Sequence, residues 1–358
     1  MGRELSINRR RFLGAAAGTA AGAGILGGLK LDSASSARGT LVPQGKRSII
    51  LYSVRDRIGA APDMTGIPYG FALVLERLAQ IGYHGIEFAG YNQSTQILGR
   101  QITPAEIRQI LDDNGLIAVG SHGSIPTDLN NTGQMDAFKV HMETALTLGQ
   151  QYVGTGNDPT GGSNSPDQKP PWDAAIERWN VLGEMAAANG LKLYTHNHDS
   201  GYKFLLDMAD PAGNLTRSSG VRKLVYFLQN TDPRYVHLEM DIYWAHVAQH
   251  RWRTYTAADG TTVEDVFDPG ALVAGDSMRF PLFHAKDGKR DDSVAAGYVM
   301  VPLGAGDIDF TMFFDNMGAK GFHYPMWEQD NAPGGSADPG RSLRYAAESY
   351  AAMKALRG

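Results

Sequence analysis

From Ser48 onward the chain alternates short apolar runs with helix-length amphipathic segments, and the alternation recurs eight times. The apolar runs at 48–53, 84–88, 116–121, 152–155, 191–195, 235–240, 279–285 and 322–327 read as strands. Between them, residues 69–81 place Phe71, Val74, Leu75 and Leu78 at helical spacing, with Gly82 as a stop. Thr103-Pro104-Ala105-Glu106 reads as an N-cap, a proline at the first helical position and an acidic first turn, opening a helix that runs to about Gly115. Further helices are expected over 131–149, 172–189, 217–230, 309–317 and 338–356, and the polar, Gly/Thr-rich stretch 251–265 reads as a surface hairpin or loop. Eight alternations without a second zone of composition predict an α/β fold built as one (β/α)8 barrel rather than a doubly wound sheet. A chain of 358 residues, 42% of them hydrophobic, is long enough for that.

The first residues are set apart from this pattern. Arg9-Arg10-Arg11-Phe12-Leu13 is a basic cluster that leads into an Ala/Gly-rich apolar stretch from Gly14 to Leu31. Ser35 and Ala37 follow in a small-residue arrangement of the kind signal peptidases cleave. The layout resembles a twin-arginine signal, and its weak hydrophobicity argues against a stable membrane anchor. Residues 1–39 are therefore read as a signal and linker and 40–358 as the barrel, with the mature protein expected outside the cytoplasm, in the periplasm or beyond. The formal net charge is −5, from 38 acidic and 33 basic residues, which gives no sign of a nucleic-acid partner. With no cysteine there are no disulfides, thiolate metal sites or cysteine nucleophiles. No dinucleotide-binding or P-loop glycine fingerprint is present.

In such a barrel, chemistry gathers at the carboxyl ends of the strands. Here those ends read Arg55-Asp56, Glu87, His122, His196-Asn197-His198-Asp199, Glu239-Met240-Asp241, His284-Ala285-Lys286-Asp287 and Glu328-Gln329-Asp330. Ionisable groups thus recur at one edge although they are distant in sequence. A set of imidazoles and carboxylates without thiolates suits Mn2+, Fe2+, Co2+ or Zn2+. His196, Asp241, His284 and Glu328 are the proposed ligands, each from a different strand. The alternatives are His198 in place of His196, a helix N-cap for Asp241, a hydrogen-bonded core histidine for His284, and a salt bridge from Glu328 to Lys286 or Arg290.

The strings Tyr52-Ser53-Val54-Arg55-Asp56, Gly82-Tyr83-His84-Gly85-Ile86-Glu87-Phe88, His196-Asn197-His198-Asp199, Glu239-Met240-Asp241-Ile242-Tyr243-Trp244, His284-Ala285-Lys286-Asp287, Leu303-Gly304-Ala305-Gly306-Asp307-Ile308-Asp309-Phe310 and Glu328-Gln329-Asp330 together resemble the sugar phosphate isomerase/epimerase family. This is the xylose-isomerase-like TIM-barrel group, which includes inosose dehydratases, ketose 3-epimerases and endonuclease IV. The resemblance covers Arg47 to the C-terminus. It implies one divalent metal ion, most often Mn2+, with Co2+, Fe2+, Zn2+ or Mg2+ as alternatives. Ketose 3-epimerases of the group use a Glu, Asp, His, Glu ligand set in which the two glutamates also serve as acid and base. His196 falls where they carry the first glutamate, and Asp241, His284 and Glu328 match the rest. One of the acid/base pair is therefore missing, which favours one-sided proton abstraction and loss of a leaving group over simple epimerisation. The larger three-metal set and basic face of endonuclease IV are not found.

The expected chemistry is abstraction of a proton beside a carbonyl through a metal-stabilised enediolate. Glu328, His122 and His198 are candidates for the base. Lys286 is a candidate to hold an oxyanion, unless it pairs with Asp287 or Glu328. Arg55, Glu87 and Arg290 are candidate contacts to sugar hydroxyls, with a mutual Arg55–Glu87 ion pair as the alternative. Trp244 and Trp327 are candidate walls for a sugar face, with core packing as the alternative. Export points to an unphosphorylated sugar, a keto-sugar or 3-keto-glycoside, or an inositol-like polyol, and to an oxidoreductase as a possible partner. A metal-dependent hydrolase and a non-catalytic sugar-binding barrel are the competing readings.

Overall fold

A computed structural model describes residues 39–315 and 321–358. The segment read as an export signal lies outside the described residues. The eight barrel strands are β1 (Ser48–Ile50), β2 (Gly85–Phe88), β3 (Ile117–Ser121), β4 (Tyr152–Gly154), β5 (Lys192–His196), β6 (Val236–Asp241), β7 (Leu282–Ala285) and β8 (Tyr324–Trp327). They form one parallel sheet in the order β3-β2-β1-β8-β7-β6-β5-β4. Seven junctions are laddered. The eighth, between β3 and β4, closes the ring through a single bridge at His122 and Gly154, with Gly123 N–H donating to the Gly154 carbonyl at 2.8 Å. Gly154 is needed at that point, because a Cβ would overlap the Tyr194 carbonyl oxygen and lie 2.6 Å from the Tyr194 ring.

Besides a single helical turn at Arg55–Ile58, the helices are α1 (Gly70–Ile81), α2 (Pro104–Asp113), α3 (Thr132–Leu148), α4 (Lys169–Ala188), α5 (Lys223–Asn230), α6 (Ile242–Arg251), α7 (Pro269–Gly275), α8 (Phe310–Asp315) and α9 (Arg341–Ala355). Alternation along each strand separates two cores. Val119, Tyr152, Tyr194, Leu282 and Met326 fill the barrel interior, while the residues between them, such as Phe283 and Trp327, pack outward into the main apolar layer. α2 starts with a full capping box: Thr103 Oγ1 accepts from Glu106 N–H at 3.3 Å and Glu106 Oε2 accepts from Thr103 N–H at 2.9 Å. Thr103→Ala should lower stability by about 1 kcal/mol in urea unfolding, the usual effect of losing an N-cap.

Two expectations are corrected. The first strand stops at Ile50, and the chain turns through a 3-10 segment, Leu51–Val54, so Arg55 is not aimed along the strand. The helix expected from residue 217 begins at Lys223; Leu215–Arg217 instead pairs with Met208–Ala209, and Gly220, with φ of +90°, breaks the path between. α6 follows β6 without a loop, because Asp241 ends the strand and caps the helix. The 251–265 insertion does form a hairpin, Thr254–Thr256 with Thr262–Glu264, and a second one, Asp287–Arg290 with Tyr298–Val301, follows β7.

Two buried histidines outside the convergent donors set a pH dependence. His141, beside Ser121, and His237, in the barrel, are pushed down to about 4, mainly by burial. Between pH 6.5 and 4 the unfolded chain takes up these protons and the folded one does not, so stability falls as pH falls through that window. The full effect is about 3 kcal/mol for each histidine. Urea midpoints should drop from pH 7 to pH 4.5, and the drop should shrink in His141→Gln; an unchanged slope in that variant would refute the assignment.

Candidate metal centre

Register brings the chemistry together. Across β5 and β6, His196 stands beside Glu239; across β6 and β7, Asp241 stands beside His284. Glu239 and Asp241 are two apart on one strand, so both face inward. Glu328 comes one residue after β8 and Lys286 one after β7. Residues His196, Asp241, His284 and Glu328 are buried, and each offers an atom lying within 4.8 Å of the others'. His284 Nδ1 is 2.7 Å from Glu328 Oε2 and 3.9 Å from Asp241 Oδ2, and His196 Nε2 is 3.7 Å from Asp241 Oδ2.

His284 Nδ1 and Glu328 Oε2 are buried and approach to 2.7 Å without an aligned hydrogen bond to each other or to any other group, although the Lys286 ammonium lies 2.7 Å from the same Glu328 oxygen and donates to Asp241 Oδ2 at 2.6 Å. An orphaned buried donor or acceptor is rare and unfavourable. Two imidazoles and two carboxylates converging on one point, with His284 Nδ1 and Glu328 Oε2 bare there, is a donor set that fits a divalent cation. Asp241 also acts outside the centre. Its Oδ1 accepts the Trp244 N–H at 3.0 Å and caps α6, leaving Oδ2 for the converging donors.

Lys286 is the cation already present. Its Nζ is 2.6 Å from Asp241 Oδ2, 2.7 Å from Glu328 Oε2 and 3.2 Å from Asp330 Oδ1. Burial opposes its charge, but Asp241 and Glu328 outweigh burial and hold the ammonium protonated. Burial likewise opposes Glu328, and His284 and Lys286 overcome it, keeping that carboxylate ionised. Asp241 is raised, by burial and then by Glu328.

A second group, His122, His196, Glu239 and His284, lies next to the first and shares two histidines with it. His122 Nε2 is 2.8 Å from Glu239 Oε2. Burial and the neighbouring Glu87 raise Glu239. His198 flanks the centre, its ring centroid 5.4 Å from that of His196 and 5.6 Å from that of Trp244. Burial, then Lys286, push His198 down to about 4, so it is neutral at pH 7, and its buried Nδ1 has no partner.

Several candidates belong elsewhere. Glu87 is fully buried and bonded to the Tyr194 hydroxyl and, at 2.9 Å, to His284 Nε2, so it is not open to a sugar hydroxyl. Arg55 does not pair with it: the guanidinium is exposed, donates to the Tyr52 and Asp330 carbonyls, and stacks on Tyr52. Trp327 packs in the outer apolar layer, since inward Met326 and Glu328 force it outward. Arg290 is exposed on the hairpin after β7 and pairs with Asp292, not Glu328. Trp244 stays beside the centre, 5.6 Å from the Lys286 ammonium. Asp287 accepts from Gly304 N–H and Gly306 N–H at 2.9 and 3.1 Å, which ties the Gly304-Ala305-Gly306-Asp307 string to β7 and leaves Lys286 to the other carboxylates. Glu239, Asp330, Tyr194 and Asp158 join the site although the strand-end reading gave them no role. Asp158 Oδ1 accepts the His198 N–H at 3.2 Å and its Oδ2 accepts from Ser165 and Ser200, pinning the His198 loop. For Glu239, the two-residue step back from Asp241 is the signal in the sequence.

A family model described as xylose isomerase-like TIM barrel matches residues 75–350. The chain belongs to that family. Among solved structures, it is similar to a sugar phosphate isomerase/epimerase from Parabacteroides distasonis, with 21% identity, TM-score 0.63, and coverage of 87% of this chain and 94% of the other. It is also similar to AsbF of Bacillus anthracis, a probable 3-DHS dehydratase involved in petrobactin synthesis, with 15% identity, TM-score 0.56 and coverage of 87% and 98%. An IolI protein with a bound zinc atom shows 12% identity, TM-score 0.59 and coverage of 87% and 99%. At these identities the likeness is one of fold. The chain matches none of the curated proteins compared with it. No described helix is long and apolar enough to cross a membrane.

Proposed function

We propose that the chain is an exported, divalent-metal-dependent isomerase, epimerase or lyase acting on an unphosphorylated keto-sugar, 3-keto-glycoside or inositol-like polyol. The observation that carries the reading is the convergence of His196, Asp241, His284 and Glu328, with His284 Nδ1 and Glu328 Oε2 buried there without a hydrogen-bond partner. A divalent ion bound there supplies Lewis-acid polarisation of a carbonyl and its neighbouring hydroxyl. The similarity to a sugar phosphate isomerase/epimerase and to a probable dehydratase supports both branches of the reaction class.

The chain's own groups divide the remaining work. His198, neutral and with a bare Nδ1, takes the proton beside the carbonyl; His122, bonded to Glu239, is the other candidate. Lys286 keeps Asp241 and Glu328 in place and offers N–H to developing negative charge. With His196 in place of a second glutamate, proton return to the opposite face lacks a carboxylate, and departure of a β-substituent is the favoured outcome. The charge balance favours a neutral substrate. Lys286 is enclosed by three carboxylates, Arg55 is bonded to carbonyls, and Arg251 and Arg290 are paired with Asp199 and Asp292, so each of these cations is already engaged.

The test is exchange in D2O with Mn2+- or Zn2+-loaded protein and a 3-keto-glycoside. Loss of the proton beside the carbonyl, by exchange for deuterium or in an unsaturated product formed as the aglycone leaves, is expected; aglycone release that leaves that proton in place would replace this reading with hydrolysis. His198→Ala should reduce exchange at least 100-fold, within the usual contribution of a general base, and full exchange in that variant would move the role to His122. Retention of the mature protein in the cytoplasm on replacing Arg9 and Arg10 by lysine tests export.

A further inference from the structure

Two glutamates lie beneath the convergent donors, and both are fully buried. Glu87 is hydrogen-bonded to His284, while Glu239 Oε2 is bonded to His122 at 2.8 Å and lies 3.2 Å from His284 Nε2 and 3.4 Å from His196 Nδ1. His284 turns Nε2 to Glu87 Oε2 at 2.9 Å and Nδ1 to Glu328. His196 is turned in the opposite sense: Nε2 faces Asp241, and its buried Nδ1, which has no hydrogen-bond partner, lies 3.4 Å from Glu239 Oε2. The Tyr194 hydroxyl holds the other oxygen of Glu87, which aims Oε2 at His284. Both glutamates sit on strands, not loops, so their positions are fixed by the sheet.

We propose that Glu87 and Glu239 are positioning residues that set opposite tautomers in the two histidines. Glu87 accepts the Nε2–H of His284 and leaves its Nδ1 lone pair for the cation. Glu239 accepts the Nδ1–H of His196 and leaves its Nε2 lone pair. The inference rests on the metal reading above. A neutral imidazole that gives one lone pair to a cation carries its proton on the other nitrogen. Inside a dry barrel that proton needs an acceptor, and a carboxylate both holds the ring and strengthens its basicity.

Zinc binding by the full chain tests this, measured calorimetrically for wild type and for Glu87→Leu, Glu87→Gln, Glu239→Leu and Glu239→Gln. The leucine variants should lose 10- to 100-fold in Zn2+ affinity, and the glutamine variants less, since an amide oxygen still accepts. The zinc-loaded wild type should show, by ring-nitrogen NMR, zinc on Nδ1 of His284 and on Nε2 of His196. A purely structural role would not dictate that pattern, and it can be read even if a leucine variant fails to fold. Zinc on the same nitrogen in both rings would overturn the proposal, as would wild-type affinity in folded leucine variants. Wild type that binds neither Zn2+, Mn2+ nor Co2+ would remove the metal reading and this inference with it.

Discussion

Asp241→Ala is expected to abolish measurable metal binding and turnover while lowering the stability of the metal-free protein by about 4 kcal/mol. The loss of affinity should exceed the 10- to 100-fold typical of an outer partner, because Asp241 supplies one of four converging donors. The stability loss has two sources. Removing the carboxylate takes away one of the three that surround the Lys286 ammonium, and breaking a buried ion pair typically costs about 3–5 kcal/mol. It also takes the N-cap from α6, worth about 1 kcal/mol. The two share one side chain and will not add fully. Asp241→Asn separates them, since asparagine caps well but carries no charge. It should recover about 1 kcal/mol in urea unfolding and recover no metal affinity by calorimetry. An alanine variant that still binds zinc like wild type would exclude Asp241 from the centre.

The second large effect concerns the fold. Gly154→Ala should destabilise by about 3 kcal/mol or more, at the upper end for overpacking, because the added Cβ meets backbone as well as ring. A clash with a carbonyl oxygen cannot be relieved by a rotamer change, so β4 must move away from β5. That movement loosens the bridge that positions His122, and turnover should fall along with the unfolding midpoint. Gly162→Ala is the matched control: its Cβ would find its nearest neighbour at 3.9 Å, and the change should stay within about 0.5 kcal/mol. Equal stability of the two variants would show that β4 has slack the geometry does not reveal.

The edge at which chemistry collects is legible in the sequence. The four proposed ligands follow from what ends each strand, and the barrel brings those four side chains together. The Thr103–Glu106 capping box is equally legible, because it depends on residues three apart. Trp327 and Glu239 share a cause: the end of a strand carries no information about its fate until inward or outward parity is assigned. Parity alone makes Trp327 an outward residue once Glu328 is inward, and makes Glu239 a companion of Asp241. Arg55 leaves the strand direction because β1 ends at Ile50 and a 3-10 turn then redirects the chain, and nothing local in Leu51–Val54 announces that turn. The pairing of Lys286 with Asp241, Glu328 and Asp330, against adjacent Asp287, depends on a loop from residues 304–306 that claims Asp287 first.

The ring of strands has one junction unlike the other seven, where β3 and β4 meet at a single bridge. A closed cylinder under thermal agitation parts where it is least stitched, so breathing of this barrel should be directional, a slit opening beside His122 instead of a uniform swelling. Amides near Gly123 and Gly154 should then exchange with solvent sooner than those of β6 and β7.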